Sequence, residues 1–199
     1  MKQKDIFLES EGNAWLERNR EKLGQFDSIS EIIDDMGLKP TSVLEVGCAN
    51  GWRLAKLRDK YGCEIMGIEP SLQAGIEGAA LRVPVMQGTA SMLPFPPDMF
   101  DLIIFGFCLY LTDPSDWLRI AAEADSILKD GGHIFIHDFE TFASHAREYE
   151  HRGGILSYHI DWSNLWLGHP GYYVERRTFS TQHDTVIALK KALALEVRP

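Results

Sequence analysis

Apolar and polar positions follow a helical period in the first part of the chain. The segment Phe26–Gly37 carries four apolar residues at a spacing of three or four, which are Ile29, Ile32, Ile33 and Met36. Asp27 or Ser28 is suited to cap this helix, and Gly37 to end it. Residues 5–23 show the same period less regularly, so we expect an irregular helix there.

Short apolar runs alternate with amphipathic segments from residue 42 onward. The predicted strands are Ser42–Val46, Glu64–Ile68, Val83–Gln87, Asp101–Phe107 and His133–His137. The predicted helices between them are Trp52–Tyr61, Ser71–Leu81 and Pro114–Lys129. Alternation of this kind favours a parallel sheet with right-handed crossovers, which is a doubly wound α/β fold.

The pattern changes after residue 140. Residues 172–180 and 184–190 are predicted strands joined by a polar turn at 181–183, which places one antiparallel strand in a seven-stranded sheet. We therefore expect one domain with helices on both faces of a mostly parallel sheet. Its parts would be an N-terminal helical lid (1–37), a cofactor-binding core (40–140), and a substrate-side insertion with the C-terminal strands (141–199).

Composition narrows the classes of partner. The 199 residues are 45% hydrophobic, and no apolar run reaches the roughly 20 residues of a membrane helix. We expect no signal peptide. The three cysteines form no CxxC pair, which suits a reducing cytoplasmic setting. The net charge of −9 argues against nucleic acid as the main partner, because such binding depends on Lys and Arg.

The most informative stretch is VLEVGCANGW, from Val43 to Trp52, in which a strand breaks into a glycine-rich turn before a helix. Glycines allow a backbone to approach a ligand closely. A dinucleotide fingerprint aligned on Gly47 requires glycine at positions 49 and 52, where the chain has Ala49 and Trp52. No Gly-Lys-Ser/Thr follows, which excludes a Walker phosphate loop. A nicotinamide-dependent oxidoreductase is therefore disfavoured.

The same stretch resembles the first motif of class I S-adenosylmethionine-dependent methyltransferases, (V/L)(L/D)(E/D)xGxGxG, with alanine at the middle glycine. This resemblance implies S-adenosylmethionine as the cofactor. It also implies that the cofactor contacts the motif residues Glu45, Gly47, Cys48, Ala49 and Gly51.

Three further segments resemble that family in the same order. Glu69-Pro70 ends the second strand, where the family's acid binds the ribose hydroxyls. Gly88 to Phe95 resembles its adenine-covering segment, with Thr89 in place of the usual aspartate and Ala90 beside it. The strand that ends at Phe107 and the LKDGG turn resemble its fourth and fifth strand regions. Phe107 is accordingly an expected cofactor contact.

The N-terminal segment around Trp15 resembles the helix that closes over the cofactor in related enzymes. Arg18 shares one helix face with Trp15 and Asn19, so it could reach the carboxylate of the cofactor's methionine part. The alternative is a helix packed on the sheet with Arg18 in solvent.

Methyl transfer mainly requires alignment of the acceptor with the methyl group, and a general base only where the acceptor must lose a proton. His137 and Asp138 end the fifth strand and are the candidate catalytic residues. The alternatives are a hydrogen-bonded core histidine and a helix-capping aspartate. We expect no metal, because the histidines have no matching cluster of ligands.

These features predict a methyltransferase that acts on a small molecule, such as a sugar, a lipid or a secondary metabolite. We expect a monomer or homodimer that does not bind a membrane. The alternative is a non-catalytic subunit that binds the cofactor and acts through a partner protein.

Overall fold

The computed structural model describes residues 2–179 and 184–192. The N-terminal segment forms four short helical pieces: α1 (Gln3–Ile6), a π-helical turn (Phe7–Glu11), α2 (Gly12–Asn19) and a 3₁₀ turn (Arg20–Lys22). The helix expected over residues 5–23 is thus irregular, and it contains a π-helical turn, a feature that is frequent at functional sites.

The alternating core follows the predicted order closely. Its helices are α3 (Ser28–Asp35), α4 (Trp52–Tyr61), α5 (Leu72–Ala80) and α6 (Trp117–Ile127). Its strands are β1 (Ser42–Val46), β2 (Glu64–Glu69), β3 (Val85–Gln87), β4 (Phe100–Gly106) and β5 (Leu128–Phe139). The cap of α3 is as expected, since the side chain of Asp27 accepts from the N–H of Ser30. At α5 the side chain of Ser71 accepts from the N–H of Ala74.

The predicted end of the sixth helix at Lys129 is wrong. Strand β5 already begins at Leu128, because Leu128 pairs with Phe100 of β4 before the register shifts to pair His133 with Leu102. Gly131 and Gly132 lie in this irregular part of the strand. At the other end, Pro114–Asp116 forms a 3₁₀ turn before α6.

The seven main strands form one sheet in the order β3-β2-β1-β4-β5-β9-β8, where β8 is Tyr172–Phe179 and β9 is Asp184–Lys191. Strand β9 runs antiparallel to both of its neighbours, and the other pairs are parallel. The predicted sheet with one antiparallel strand is confirmed. The turn predicted at 181–183 lies outside the described residues.

Helices cover both faces of the sheet. On one face, α3 and α4 pack on Val43, Leu102 and Ile104 of the central strands. On the other face, α6 packs on Leu44 and Ile103, which alternate with the first set. The central strands are therefore apolar on both sides, as a doubly covered parallel sheet requires.

The region 141–171, whose structure the sequence pattern left open, contains a two-stranded hairpin and a short helix. The hairpin pairs β6 (His145–Glu148) with β7 (Leu156–His159), and α7 is Asn164–Leu167. Among the buried side chains of this region, Trp162 and Trp166 join the core on the face of the sheet that α6 covers. The division at residues 37, 40 and 140 stays a prediction. Within the described residues, no helix is both long and apolar enough to cross a membrane.

Candidate active site

The glycine turn after β1 has a backbone conformation and close neighbours that leave no room for larger residues at Gly47. Gly47 has φ of +74°, and a Cβ added there would lie 2.5 Å from Cβ of Cys108. Ala49 also lies in the left-handed region, at φ of 48°, and Gly51 follows at 76° as the N-cap of α4. The turn is held by Ile68, whose carbonyl accepts from the N–H groups of Gly47 and Cys48.

Glu69 connects this turn to the loop after β2. Its Oε2 accepts from the N–H of Ala49 at 2.9 Å, and its Oε1 accepts from the N–H of Ser71 at 3.0 Å. Burial raises the pKa of the Glu69 carboxyl to about 7, although these two backbone hydrogen bonds oppose the shift. Each oxygen keeps a lone pair for a further donor. Glu69 thus joins both loops and can still accept from a ligand.

A cavity of about 770 Å³, the inner cavity, opens beside Glu69 under the N-terminal helices. Six of the sequence-predicted cofactor residues line it: Gly47, Glu69, Pro70, Thr89, Ala90 and Phe107. From the N-terminal segment, Lys4, Phe7, Gly12 and Trp15 also line it.

A second and larger space of about 1600 Å³, the outer cleft, lies over the ends of β1, β4 and β5. The predicted residues that line it are Glu45, Gly47, Cys48, Ala49, Phe107 and His137. Trp15, Gly47 and Phe107 line both spaces, so the two meet at these residues. Of the remaining predicted residues, Gly51, Arg18 and Asp138 line neither.

Phe107 holds a strained backbone at this meeting point. Its φ is 50°, in a region that aromatic residues seldom occupy, and its N–H donates to the carbonyl of His137 at 2.7 Å. Its ring centroid lies 4.4 Å from that of the His137 imidazole. Backbone strain of this kind clusters at ligand sites.

Glu45 belongs to a buried ionic network that the sequence analysis missed. The Arg53 guanidinium donates to Oε1 of Glu45 and, at 3.0 Å, to Oδ1 of Asp27, which also pairs with Lys56. Burial raises the pKa of Glu45 to about 7, and the attraction of Arg53 opposes that shift. Oε2 of Glu45 is buried and has no hydrogen-bond partner within the described part of the chain. It is therefore available to a donor on a ligand.

The N-terminal segment is fixed on two sides of the inner cavity. A Cβ added to Gly12 would lie 2.9 Å from the backbone N of Ser71, so glycine allows α2 to approach the β2–α5 loop closely. On the other side, Lys2 and Lys4 form ion pairs with Asp116. The segment thereby covers the inner cavity.

Arg18 is engaged within this lid. Its guanidinium donates to the buried Glu11 carboxylate and, at 3.0 Å, to the hydroxyl of Tyr149. It is neither free in solvent nor part of either cavity wall. Its expected contact with a cofactor carboxylate stays a prediction.

The two candidate catalytic residues face different spaces, because neighbouring residues of a strand point to opposite faces. His137 lines the outer cleft, and its Nε2 lies 2.9 Å from Oδ2 of Asp184. Asp138 lines a separate cavity and accepts from the N–H groups of Tyr110 and Phe139. Of the two, only His137 lines the outer cleft together with the glycine turn.

We expect Asp138 to make stability depend on pH. Burial raises the pKa of its carboxyl from 3.8 to about 7, so the folded chain binds a proton that the unfolded chain has released between about pH 4 and 7. Stability from this group is full below about pH 4 and is lost as pH rises through 7. Relative to Asp138→Asn, the wild type should lose about 2 kcal/mol of unfolding free energy between pH 5 and pH 8.

Urea unfolding of both proteins at four pH values measures this difference. The control is Asp59→Asn, because the Asp59 side chain is 70% exposed. A wild-type minus Asp138→Asn difference that is constant with pH would contradict the assignment.

The chain is similar in sequence to known methyltransferases. The family model described as "Methyltransferase domain" matches residues 15–180. A demethylmenaquinone methyltransferase of Staphylococcus aureus (strain Newman) is 35% identical over 112 residues, which are 52% of this chain and 45% of that protein. The ajmaline N-methyltransferase of Rauvolfia serpentina is 29% identical over 112 residues, which are 50% of this chain and 38% of that protein. This chain spans less than half the length of these relatives.

Solved structures show the same fold. A Burkholderia thailandensis 1,6-didemethyltoxoflavin-N1-methyltransferase, with its substrate and S-adenosylhomocysteine bound, superposes with a TM-score of 0.75 at 17% identity, covering 94% of this chain and 88% of that one. A SAM-dependent methyltransferase structure from Methanosarcina mazei superposes with a TM-score of 0.66 at 19% identity. The match covers 81% of this chain and 97% of that one.

Proposed function

The chain belongs to the methyltransferase domain family, and we propose that it transfers a methyl group from S-adenosylmethionine to a small organic acceptor. The expected resemblance to class I S-adenosylmethionine-dependent methyltransferases is confirmed at the level of the family. The observation that carries the proposal is that the inner cavity and the outer cleft meet at Trp15, Gly47 and Phe107. A cofactor and an acceptor could thus reach one another across the glycine turn.

The described residues fit this cofactor. Glu69, Thr89 and Ala90 line the inner cavity, where Glu69 would accept hydrogen bonds from the ribose hydroxyls and the other two would contact the base. Gly47 lines both spaces without a side chain, and the buried, unpartnered Oε2 of Glu45 could accept from an ammonium group. When bound, S-adenosylmethionine supplies an activated methyl group on a sulfonium. The chain's own part is to bind, orient and exclude water.

The outer cleft favours a small, flat acceptor among the predicted classes. Its walls include aromatic side chains on several elements, which are Trp15, Trp52, Phe107, Tyr110, Phe139 and Tyr149. Such rings bind flat apolar groups well. The relatives are named for demethylmenaquinone, ajmaline and 1,6-didemethyltoxoflavin, which are small organic molecules. We therefore favour a lipid-like or secondary metabolite with a ring over a sugar.

Among the described residues, no group of three His, Cys, Asp or Glu side chains is placed to hold a metal. Metal independence, the cytoplasmic setting and the monomeric or dimeric state stay predictions.

Transfer of a labelled methyl group tests the proposal. The purified protein is incubated with methyl-labelled S-adenosylmethionine and a cell extract separated into components below 1 kDa and macromolecules. We expect label in the small-molecule fraction. Label only in macromolecules would contradict the acceptor class, whereas cofactor binding without transfer to either fraction would favour the non-catalytic alternative.

A further inference from the structure

Asp184 and His137 form a pair on neighbouring strands of the sheet. Asp184 begins β9 and His137 lies near the end of β5, and the antiparallel register brings these strand ends together. Nε2 of His137 is 2.9 Å from Oδ2 of Asp184, and both side chains are largely buried, with 8% and 12% of their surface exposed. Both line the outer cleft. The pair therefore lies at the acceptor end of the proposed site.

The pair determines which ring nitrogen of His137 carries the proton. A carboxylate only accepts hydrogen bonds, so Nε2 of a neutral His137 donates to Asp184 and Nδ1 keeps a lone pair. Nδ1 is buried and has no hydrogen-bond partner within the described ranges. Leaving a buried polar atom unpaired is costly, and such atoms in native proteins call for an explanation. A hydrogen-bond donor on a bound ligand would give Nδ1 of His137 the partner that it lacks.

We propose that Asp184 is a positioning residue that holds His137 as the Nε2–H tautomer, so that Nδ1 takes a proton from the acceptor. This inference rests on the proposed function and names its acceptor class: a flat ring that carries a hydroxyl or a ring N–H. For a hydroxyl, the O–H bond breaks, the proton bonds to Nδ1, and the electron pair stays on oxygen as the nucleophile. The Asp184 carboxylate stabilises the resulting imidazolium.

Aromatic side chains around the pair support a flat acceptor. The ring of Phe107 lies 4.4 Å from the His137 ring and 5.3 Å from that of Phe139, and Phe139 lies 5.0 Å from Tyr110. These centroid distances are those of packed aromatic groups. A flat acceptor that packs on the cleft side of these rings would bring its polar substituent next to the imidazole.

The same strand provides a matched control. His133 shares a face of β5 with His137, and its Nε2 lies 2.6 Å from Oε2 of Glu175. This second pair lines neither the inner cavity nor the outer cleft. Glu175→Gln thus removes a carboxylate partner from a histidine without touching the proposed site.

Imidazole ¹⁵N NMR on the histidine-labelled, unliganded protein tests the tautomer directly. His137→Gln assigns the His137 signals. We expect the Nε2–H tautomer of His137 in the wild type, and about a tenfold smaller preference for it in Asp184→Asn and Asp184→Ala, since a hydrogen bond to a charged group is lost. Glu175→Gln should change His133 alone. A wild-type His137 with its proton on Nδ1, or a preference unchanged in both Asp184 variants, would overturn the proposal.

A pair of ligands tests the acceptor class on the protein loaded with S-adenosylhomocysteine. The probes are 2-naphthol and its methyl ether, which differ only in the hydroxyl proton. We expect 2-naphthol to shift the Nδ1 resonance of His137 and the ether to leave it unchanged. Equal shifts with both probes, or no shift with either, would overturn the acceptor class. Failure to bind S-adenosylhomocysteine would instead sink the proposed function, while the tautomer result on the unliganded protein would stand.

Discussion

Replacing Arg53 by methionine is expected to lower the free energy of unfolding by about 3 kcal/mol, because it leaves two buried carboxylates without their shared cation. Glu45 is 2% exposed and Asp27 is 8% exposed, and the guanidinium between them donates to both. The apolar stem of methionine fills much of the space but cannot donate. Loss of Arg53 also releases Glu45 from the attraction that opposes its protonation.

Urea denaturation at pH 7 measures this effect, with Lys60→Met as the control. Lys60 lies on the same helix and pairs with Asp34, but both side chains are 43% exposed. Exposed ion pairs contribute about 0–1 kcal/mol. Equal effects of the two substitutions would show that Arg53 does not hold the network together.

The second large effect is expected at Glu69, where substitution by alanine should weaken binding of S-adenosylmethionine at least about 100-fold. Hydrogen bonds to a charged group contribute about 1.5–3 kcal/mol each, and two ribose hydroxyls would lose theirs. The N–H groups of Ala49 and Ser71 would also lose their acceptor, which loosens the glycine turn. Titration calorimetry measures the affinity, and circular dichroism checks the fold.

Glu64→Ala is the matched control for this variant. Glu64 begins the strand that Glu69 ends, so it lies at the opposite end of β2, where it is exposed. We expect its affinity to equal that of the wild type. If Glu69→Ala bound S-adenosylmethionine with wild-type affinity, Glu69 would not be the residue that binds the ribose.

The hydrophobic pattern predicts an element best where nearby residues in the sequence also mark its start and its end. Helix α4 begins and ends as predicted, because Gly51 and Gly62 bound it in the left-handed conformation. Strand β1 is likewise as predicted, since its apolar run is buried throughout. The start of β5 was missed because its pairing with Phe100 is a contact between distant parts of the chain.

The site shows the same limit. Residues within the quoted motifs line the two cavities, yet the sequence pointed neither to Arg53 nor to Asp184. Arg53 lies eight residues after Glu45 with no motif to connect them, and only the packing of α4 on β1 joins the two. For Asp184 a signal did exist: an antiparallel last strand places its first residues beside the end of β5.

The measurement that tests the central claim most directly is calorimetric titration of the purified, dialysed protein with S-adenosylmethionine, S-adenosylhomocysteine and NAD in parallel. The account predicts binding of both sulfur compounds with micromolar dissociation constants and no binding of NAD, because Trp52 occupies the position of the third fingerprint glycine. Absence of binding by either sulfur compound, or tight binding of NAD, would contradict it.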